Sequence, residues 1–167
     1  MLPLTLREGV IFLIPKPQKP RDEINSYRPI TLLNSSYKII SSIFANRFKK
    51  IMPTIIGKDQ TGFVANRFVG DNTRLTYDLI EYLKSKGMYA LFLSLDIEGA
   101  FNSVSWDFIR KVLKRRNFPD QVIRWFDVLY VGSFSRIVYN GHISERIDLQ
   151  RSCRQGDPLS CYIFLSS

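Results

Sequence analysis

Asn140-Gly141 lies between two strand-like runs, 134–139 and 142–149. A two-residue hairpin loop of type I′ needs positive φ at both central positions, and Asn-Gly meets that demand at least cost. The stretch is therefore predicted to be a β-hairpin, and any fold for this chain has to contain an antiparallel pair. Helical periodicity surrounds it. Over 35–51, Ile40, Phe44, Phe48 and Ile51 recur at three to four residues. Asn34, Ser35 and Ser36 offer N-caps there, and Pro53 is expected to end the helix. A second helix is predicted over 71–87, with Leu75, Leu79, Ile80 and Leu83 facing inward. A third is capped by Ser105 and carries Trp106, Ile109, Val112 and Leu113. A fourth opens with Pro119 at its first position and carries Val122, Ile123, Phe126 and Leu129. Two apolar runs read as strands, 10–14 and 89–95. The second (YALFLSL) is nearly continuous and is predicted to be buried on both faces. Helices in pairs plus a hairpin, without strict alternation of strand and helix, define the α+β class.

Length and composition narrow the function. The chain's 167 residues make at most one domain. Hydrophobic residues at 45% and charged residues at 23% exclude wholesale disorder. A net charge of +9 favours a polyanionic partner, either nucleic acid or an anionic membrane surface. No apolar run is long enough to span a membrane, and the N-terminus lacks the layout of a secretory signal. Cys153 and Cys161 are too few for a zinc site and read as reduced thiols of an intracellular protein, nuclear or cytoplasmic. His142, the sole histidine, sits beside a hairpin turn as a surface residue, and a multi-His metal centre is excluded. Gly-rich phosphate cradles are absent, as is any nucleophile elbow.

A few residues could carry chemistry. Asp96 ends the apolar run 89–95, where a carboxylate is costly unless neutralised. By spacing alone it reads first as an N-cap for the turn at Gly99 and second as a ligand of Mg²⁺, which takes hard oxygens from carboxylates and substrate phosphates. Glu98 reads as solvated, and Asp157, between Gly156 and Pro158, reads as a cap. The stretch 15–29 is Pro-rich and basic and reads as an exposed loop. Within it Lys16, Lys19, Arg21 and Arg28, with Tyr27, suit phosphate.

Taken in order, IFLIPKPQKP, YRPITLLNSSYKI, QTGFVANRFVGDN, LSLDIEGAFNSV, YNGHISE and RQGDPLS closely resemble the reverse transcriptase of non-LTR (LINE-type) retrotransposons, from about residue 10 to 164. The resemblance implies the fingers and partial palm of a right-hand polymerase, with about 1–88 mainly fingers and about 89–167 partial palm with later fingers elements. It implies an RNA-directed DNA polymerase that transfers a nucleotide onto a 3′-hydroxyl with two Mg²⁺ ions. Its partners would be an RNA template, a DNA primer and deoxynucleoside triphosphates, with no membrane and no obligate protein partner. Asp96 matches the first catalytic aspartate, and the Ile97 carbonyl would add a metal ligand. Phe101 matches the steric gate beneath the incoming sugar. Arg28 and Lys16 match finger residues that hold the triphosphate. Gln155 and Gly156 match the motif beside the nascent base pair.

The chain departs from that pattern at three places. Asn102 stands where many relatives have Asp, and Gly99 where Lys is common. The F/YADD motif that supplies the next catalytic aspartates is absent, and no Asp-Asp pair occurs. The chain is therefore expected to be a fragment truncated before that motif and inactive alone. The competing readings are a nucleic-acid-binding remnant without catalysis, a domesticated interaction protein and a group II intron maturase-like reverse transcriptase. For the polymerase reading, Asp96 should close a central strand and face one groove with Phe101 and Gln155, Arg28 should approach from the fingers, and apolar surface should lie exposed near 162–165.

Overall fold

A computed structural model describes residues 2–166. The chain opens with a single helical turn, α1 (Leu4–Arg7), and runs into β1 (Glu8–Pro15). A loop with a 3₁₀ turn (Ile24–Ser26) returns as β2 (Tyr27–Leu33). The basic stretch is thus the tip of a hairpin, and its last residues are strand. β1 pairs antiparallel with β2, Ile11 opposite Thr31, and parallel with β3 (Phe134–Tyr139), Ile11 opposite Ile137. The predicted hairpin forms, with Asn140 at φ 50° and Gly141 at φ 77°, but its second arm is split into β4 (His142–Ile143) and β5 (Ile147–Asp148), both paired with β3.

The helices supply most of the core. α2 (Ser35–Ile55) is capped by the Asn34 side chain, which accepts from the Ser36 N–H at 2.8 Å. Pro53 does not end it but lies inside its last turn. Its buried stripe is Tyr37, Ser41, Ala45, Phe48 and Met52, so the predicted face is rotated: Ile51 is exposed, and Ile40 and Phe44 sit at the rim. The small Ser41 and Ala45 allow close approach of α7 (Ser160–Ser166), which bulkier residues would hold off. α5 (Trp106–Arg115) is capped by Ser105, whose hydroxyl accepts from the Phe108 N–H. α6 (Asp120–Tyr130) has Pro119 at its N-cap, one residue before the predicted position. Arg110 of α5 pairs with Asp127 of α6 at 2.7 Å.

Two predicted inward faces are corrected. α3 (Val69–Ser85) has no buried residue, and Leu75 and Leu79 are more than half exposed. The run 89–95 is not a strand: it pairs with no other segment among the described residues, and Leu91 is 91% exposed. A strand exists only when an edge offers it donors and acceptors. On the outer edge of β2 the Thr31 N–H is taken by the Gln155 carbonyl, and the run 89–95 pairs with neither edge of the sheet. Instead residues 88–92 and α3 line an open apolar groove of about 370 Å³. The expected exposed patch at 162–165 is also corrected: Ile163 is fully buried, and Tyr162, Phe164 and Leu165 pack against the core.

Candidate nucleic-acid and nucleotide site

The loop after β5 is fastened on two sides. The Ser152 N–H donates to the Val104 carbonyl at 2.9 Å and the Cys153 N–H to the Phe101 carbonyl at 2.7 Å; Ser105 and Arg151 form a β-bridge. Segments that lie fifty residues apart in the chain are thereby zipped together. On the other side the Thr31 N–H of β2 donates to the Gln155 carbonyl at 3.2 Å. Gly156 is required at this contact. It has φ 102°, and a Cβ there would stand 2.5 Å from the Thr31 carbonyl oxygen.

Asp157, in the same loop, is only 4% exposed. Its carboxylate accepts from Tyr130 Oη at 2.9 Å, Tyr37 Oη at 3.1 Å, Ser41 Oγ and the Leu159 N–H at 3.1 Å. The capping role predicted for it is one of four bonds. The neighbouring Arg154 is as deeply buried. Its guanidinium rests 4.4 Å from the ring centre of Tyr37 and 5.3 Å from that of Tyr130, and it donates to the Leu129 carbonyl at 3.2 Å. A buried cation and a buried anion thus share the same two tyrosines: the hydroxyls satisfy the carboxylate and the rings offset part of the cost of burying the guanidinium, whose Nε and Nη1 find no hydrogen-bond partner among the described residues. Burial, then the Asp157 charge, pushes the Tyr130 hydroxyl well above its ordinary pKa; burial does the same at Tyr37. The Cys153 thiol is pushed up to about 12, first by burial and then by Asp157. Cys161, also a free thiol, is raised for the same reasons. Sequence reading missed this network. Its one legible trace is the charged Arg154 and Asp157 flanking Gln-Gly just before an apolar run.

These fastenings enclose a groove of about 410 Å³. Ile11, Pro29, Thr31 and Ser135 form its floor, Asn102 and Gln155 are among its polar walls. Gln155 and Asn102 are thus brought together. The Phe101 ring is turned to the core, stacked on Phe164 at 4.3 Å between centroids and partly buried. Arg28 alternates to the sheet face opposite Pro29 and Thr31 and is exposed. Lys16 stands at the hairpin tip, its Nζ donating to the Asn25 carbonyl at 2.8 Å. Asp96, Ile97 and Glu98 lie on the exposed, unpaired segment that leads to the left-handed Gly99 and the short α4 (Ala100–Ser103). Asp96 therefore closes no strand. No cluster of three or more His, Cys, Asp or Glu side chains that could hold a metal occurs among the described residues.

The fold is thus an α+β domain in which a basic β-hairpin is pinned to an Arg-Gln-Gly-Asp loop. The chain belongs to the reverse transcriptase (RNA-dependent DNA polymerase) family, whose profile matches residues 14–166. It is 31% identical over 98% of its length to the transposon TX1 uncharacterized 149 kDa protein of Xenopus laevis, covering 12% of that protein. It is 29% identical over 91% of its length to the Pol polyprotein from type-1 retrotransposable element R2 of Nasonia vitripennis, covering 14%. It is 34% identical over 67% of its length to the probable RNA-directed DNA polymerase from transposon BS of Drosophila melanogaster, covering 13%. The chain thus spans about an eighth of these relatives. They are non-LTR retrotransposon proteins, which favours that reading over an intron maturase. No helix among the described residues is long and apolar enough to cross a membrane.

Proposed function

We propose that this domain takes part in RNA-directed DNA synthesis by holding an incoming deoxynucleoside triphosphate against an RNA template and a DNA primer. The observation that carries this is the groove where Asn102, from the segment after Asp96, meets Gln155 beside the basic hairpin. Nucleotidyl transfer is in-line phosphoryl displacement, in which the protein mainly positions groups and supplies charge.

In this reading Gln155 and Gly156 lie along the nascent base pair, and the Thr31 contact keeps their backbone from drifting. Lys16 offers the triphosphate a point charge whose head the Asn25 carbonyl already orients; Arg28, on the sheet face away from the groove, would have to reach the triphosphate around the hairpin edge. The role of sugar gate comes to Phe101 from the resemblance; its ring is stacked on Phe164 and would have to turn from the core to meet a sugar in the groove. Asp96 and the Ile97 carbonyl are hard oxygen donors of the kind Mg²⁺ takes, though two donors are no cage. When bound, the ion would neutralise charge on the phosphates. Further carboxylates are needed, and this sequence has no Asp-Asp pair to supply them.

Amide chemical shifts of the labelled chain, followed as a deoxynucleoside triphosphate and a primer–template are added, test the reading. Shifts are expected at Lys16, Arg28, Asn102 and Gln155. Their absence at millimolar nucleotide, or shifts confined to the far side of the helical core, would overturn it.

A further inference from the structure

The run from Met88 to Ile97 is fixed at both ends and by nothing between. α3 closes on a left-handed Gly87 (φ 61°), where the Gly87 N–H donates to the Lys84 carbonyl at 3.1 Å and the Met88 N–H to the Leu83 carbonyl at 3.0 Å. At the far end the carbonyl of Gly99, also left-handed, accepts from the N–H groups of Asn102 at 2.8 Å and Ser103 at 3.0 Å. Among the described residues no backbone hydrogen bond joins 89–97 to another segment. The run therefore offers open donors and acceptors, on aromatic and aliphatic residues that suit a ladder. Tyr89, Leu91 and Leu93 are each at least 70% exposed.

The charges around the run are arranged about one point. Lys86 lies five residues before Leu91 and Asp96 five after it; Lys84 lies seven before and Glu98 seven after. All four are exposed, and none has an ion-pair partner among the described residues. Lys86 has only the Tyr82 ring, 5.9 Å from its Nζ. Two copies of the run set parallel and in register would bring Asp96 to Asp96 and Lys86 to Lys86, and like charges facing each other are destabilising. Set antiparallel about Leu91, they bring each Lys86 to the end of the seam where Asp96 of the other copy stands, and each Lys84 toward the other Glu98. No other antiparallel register matches both pairs. The same register puts Tyr89 opposite Leu93, an aromatic–aliphatic pair, on both sides of the centre.

We infer that the partner of this run is a second copy of the chain: residues 89–93 of two copies pair as antiparallel strands, Leu91 against Leu91, in a two-fold dimer. A two-fold interface requires a patch complementary to itself, with residue i on j and j on i. A segment with cations before its midpoint and anions at the same distances after it meets that requirement. The apolar side chains supply attraction without choosing a register, and the charges choose direction and register. Neither nucleotide binding nor catalysis enters the pairing.

The test is analytical ultracentrifugation of the full 167-residue chain over a concentration series. The wild type should pass reversibly from monomer to dimer and stop there, and amide protection of 89–93 should appear only as dimer forms. Lys86→Glu gathers acids at each end of the seam and Asp96→Lys gathers bases, so each variant alone should dimerise about tenfold more weakly. Mixed, the two variants are complementary again and should form a heterodimer at close to wild-type affinity, a recovery that misfolding of either cannot produce. Added salt should narrow the gap between variants and wild type, because the charges are exposed. On mild oxidation Leu91→Cys should cross-link to itself. Leu95→Cys should not, because its two copies would lie about 27 Å apart along the ladder. Wild type, under the same oxidation, is the control for Cys153 and Cys161. A chain that stays monomeric throughout would leave the run to some other partner and overturn the inference. Growth past the dimer without limit, no recovery on mixing, or cross-linking at 95 rather than 91 would overturn it as well.

Discussion

Asp157 is the residue on which the groove's geometry depends most. Four donors converge on it, and Arg154 is buried beside the same two tyrosine rings. Asp157→Ala would leave three buried hydroxyls and the Leu159 N–H without this acceptor. A loss of about 3–5 kcal/mol is expected, from about 1–3 kcal/mol for each buried donor left unsatisfied. That corresponds to a fall in melting temperature of about 10 °C for a domain of this size. Circular dichroism melts should also place Asp157→Asn between wild type and Ala, because the amide keeps one acceptor. Gly156→Ala combines a left-handed backbone with a clash on the Thr31 carbonyl, and should cost about 2 kcal/mol or more.

The same burial makes the protein sensitive to alkali. Cys153 is raised from an ordinary 9.0 to about 12, so in that window the folded state holds a proton that the unfolded state releases. Stability linked to this thiol is complete below pH 9 and is lost as pH rises toward 12. Tyr37 and Tyr130 act in the same direction, starting near their ordinary value of 10.0. Melting temperatures taken from pH 8 to 11 should therefore fall. Cys153→Ala should flatten the part of the fall that begins near pH 9 and leave the part beginning near 10. An identical profile in the variant would exclude the thiol as a cause.

Among the elements, the segment 88–97 is the anomaly. It is as apolar as any buried strand, yet Leu91, Leu95 and Ile97 are all more than 70% exposed. Its backbone amides have no ladder partner and are expected to exchange with solvent at nearly unprotected rates, while those of β1, paired on both sides, are expected to be among the slowest. Hydrogen exchange read by mass spectrometry resolves the two. Slow exchange at 89–95 would mean the run is paired after all. An apolar run open to solvent also predicts self-association, since such segments seek a strand edge. Light scattering should rise with concentration, and a charge placed at Leu93 should suppress it.

At the scale of the whole molecule, charge is the governing property. With +9 and a basic hairpin tip, the chain should bind RNA or an RNA–DNA hybrid at low salt. On single strands the logarithm of the binding constant should fall by about 0.7 per phosphate contact for each tenfold rise in salt, as counterions are released. Affinity independent of salt would contradict an electrostatic origin. Template-dependent primer extension by the 167-residue chain is expected to be undetectable, because the single proposed metal carboxylate, Asp96, has no companion pair. Extension by the purified chain would refute this.

What the sequence determined by itself was local. Asn140-Gly141 dictates its own turn because its two residues tolerate positive φ wherever they are. Ser105 and Asn34 cap helices through bonds that span two or three residues. The ordered series of segments from IFLIPKPQKP to RQGDPLS carried the family, because segment order survives whatever the packing does. Tertiary structure decided the rest. Which stripe of α2 is buried depends on what approaches it, and Ser41 with Ala45 admits α7 where the apolar count pointed one position away. Whether 89–95 is a strand depends on a free edge elsewhere, which periodicity along a single segment does not contain. The Asp157 site draws its donors from α2, α6 and its own loop, so no short window of the chain holds it. Pairing and burial belong to at least two segments at once, and a hydrophobic run specifies only one side of each contact.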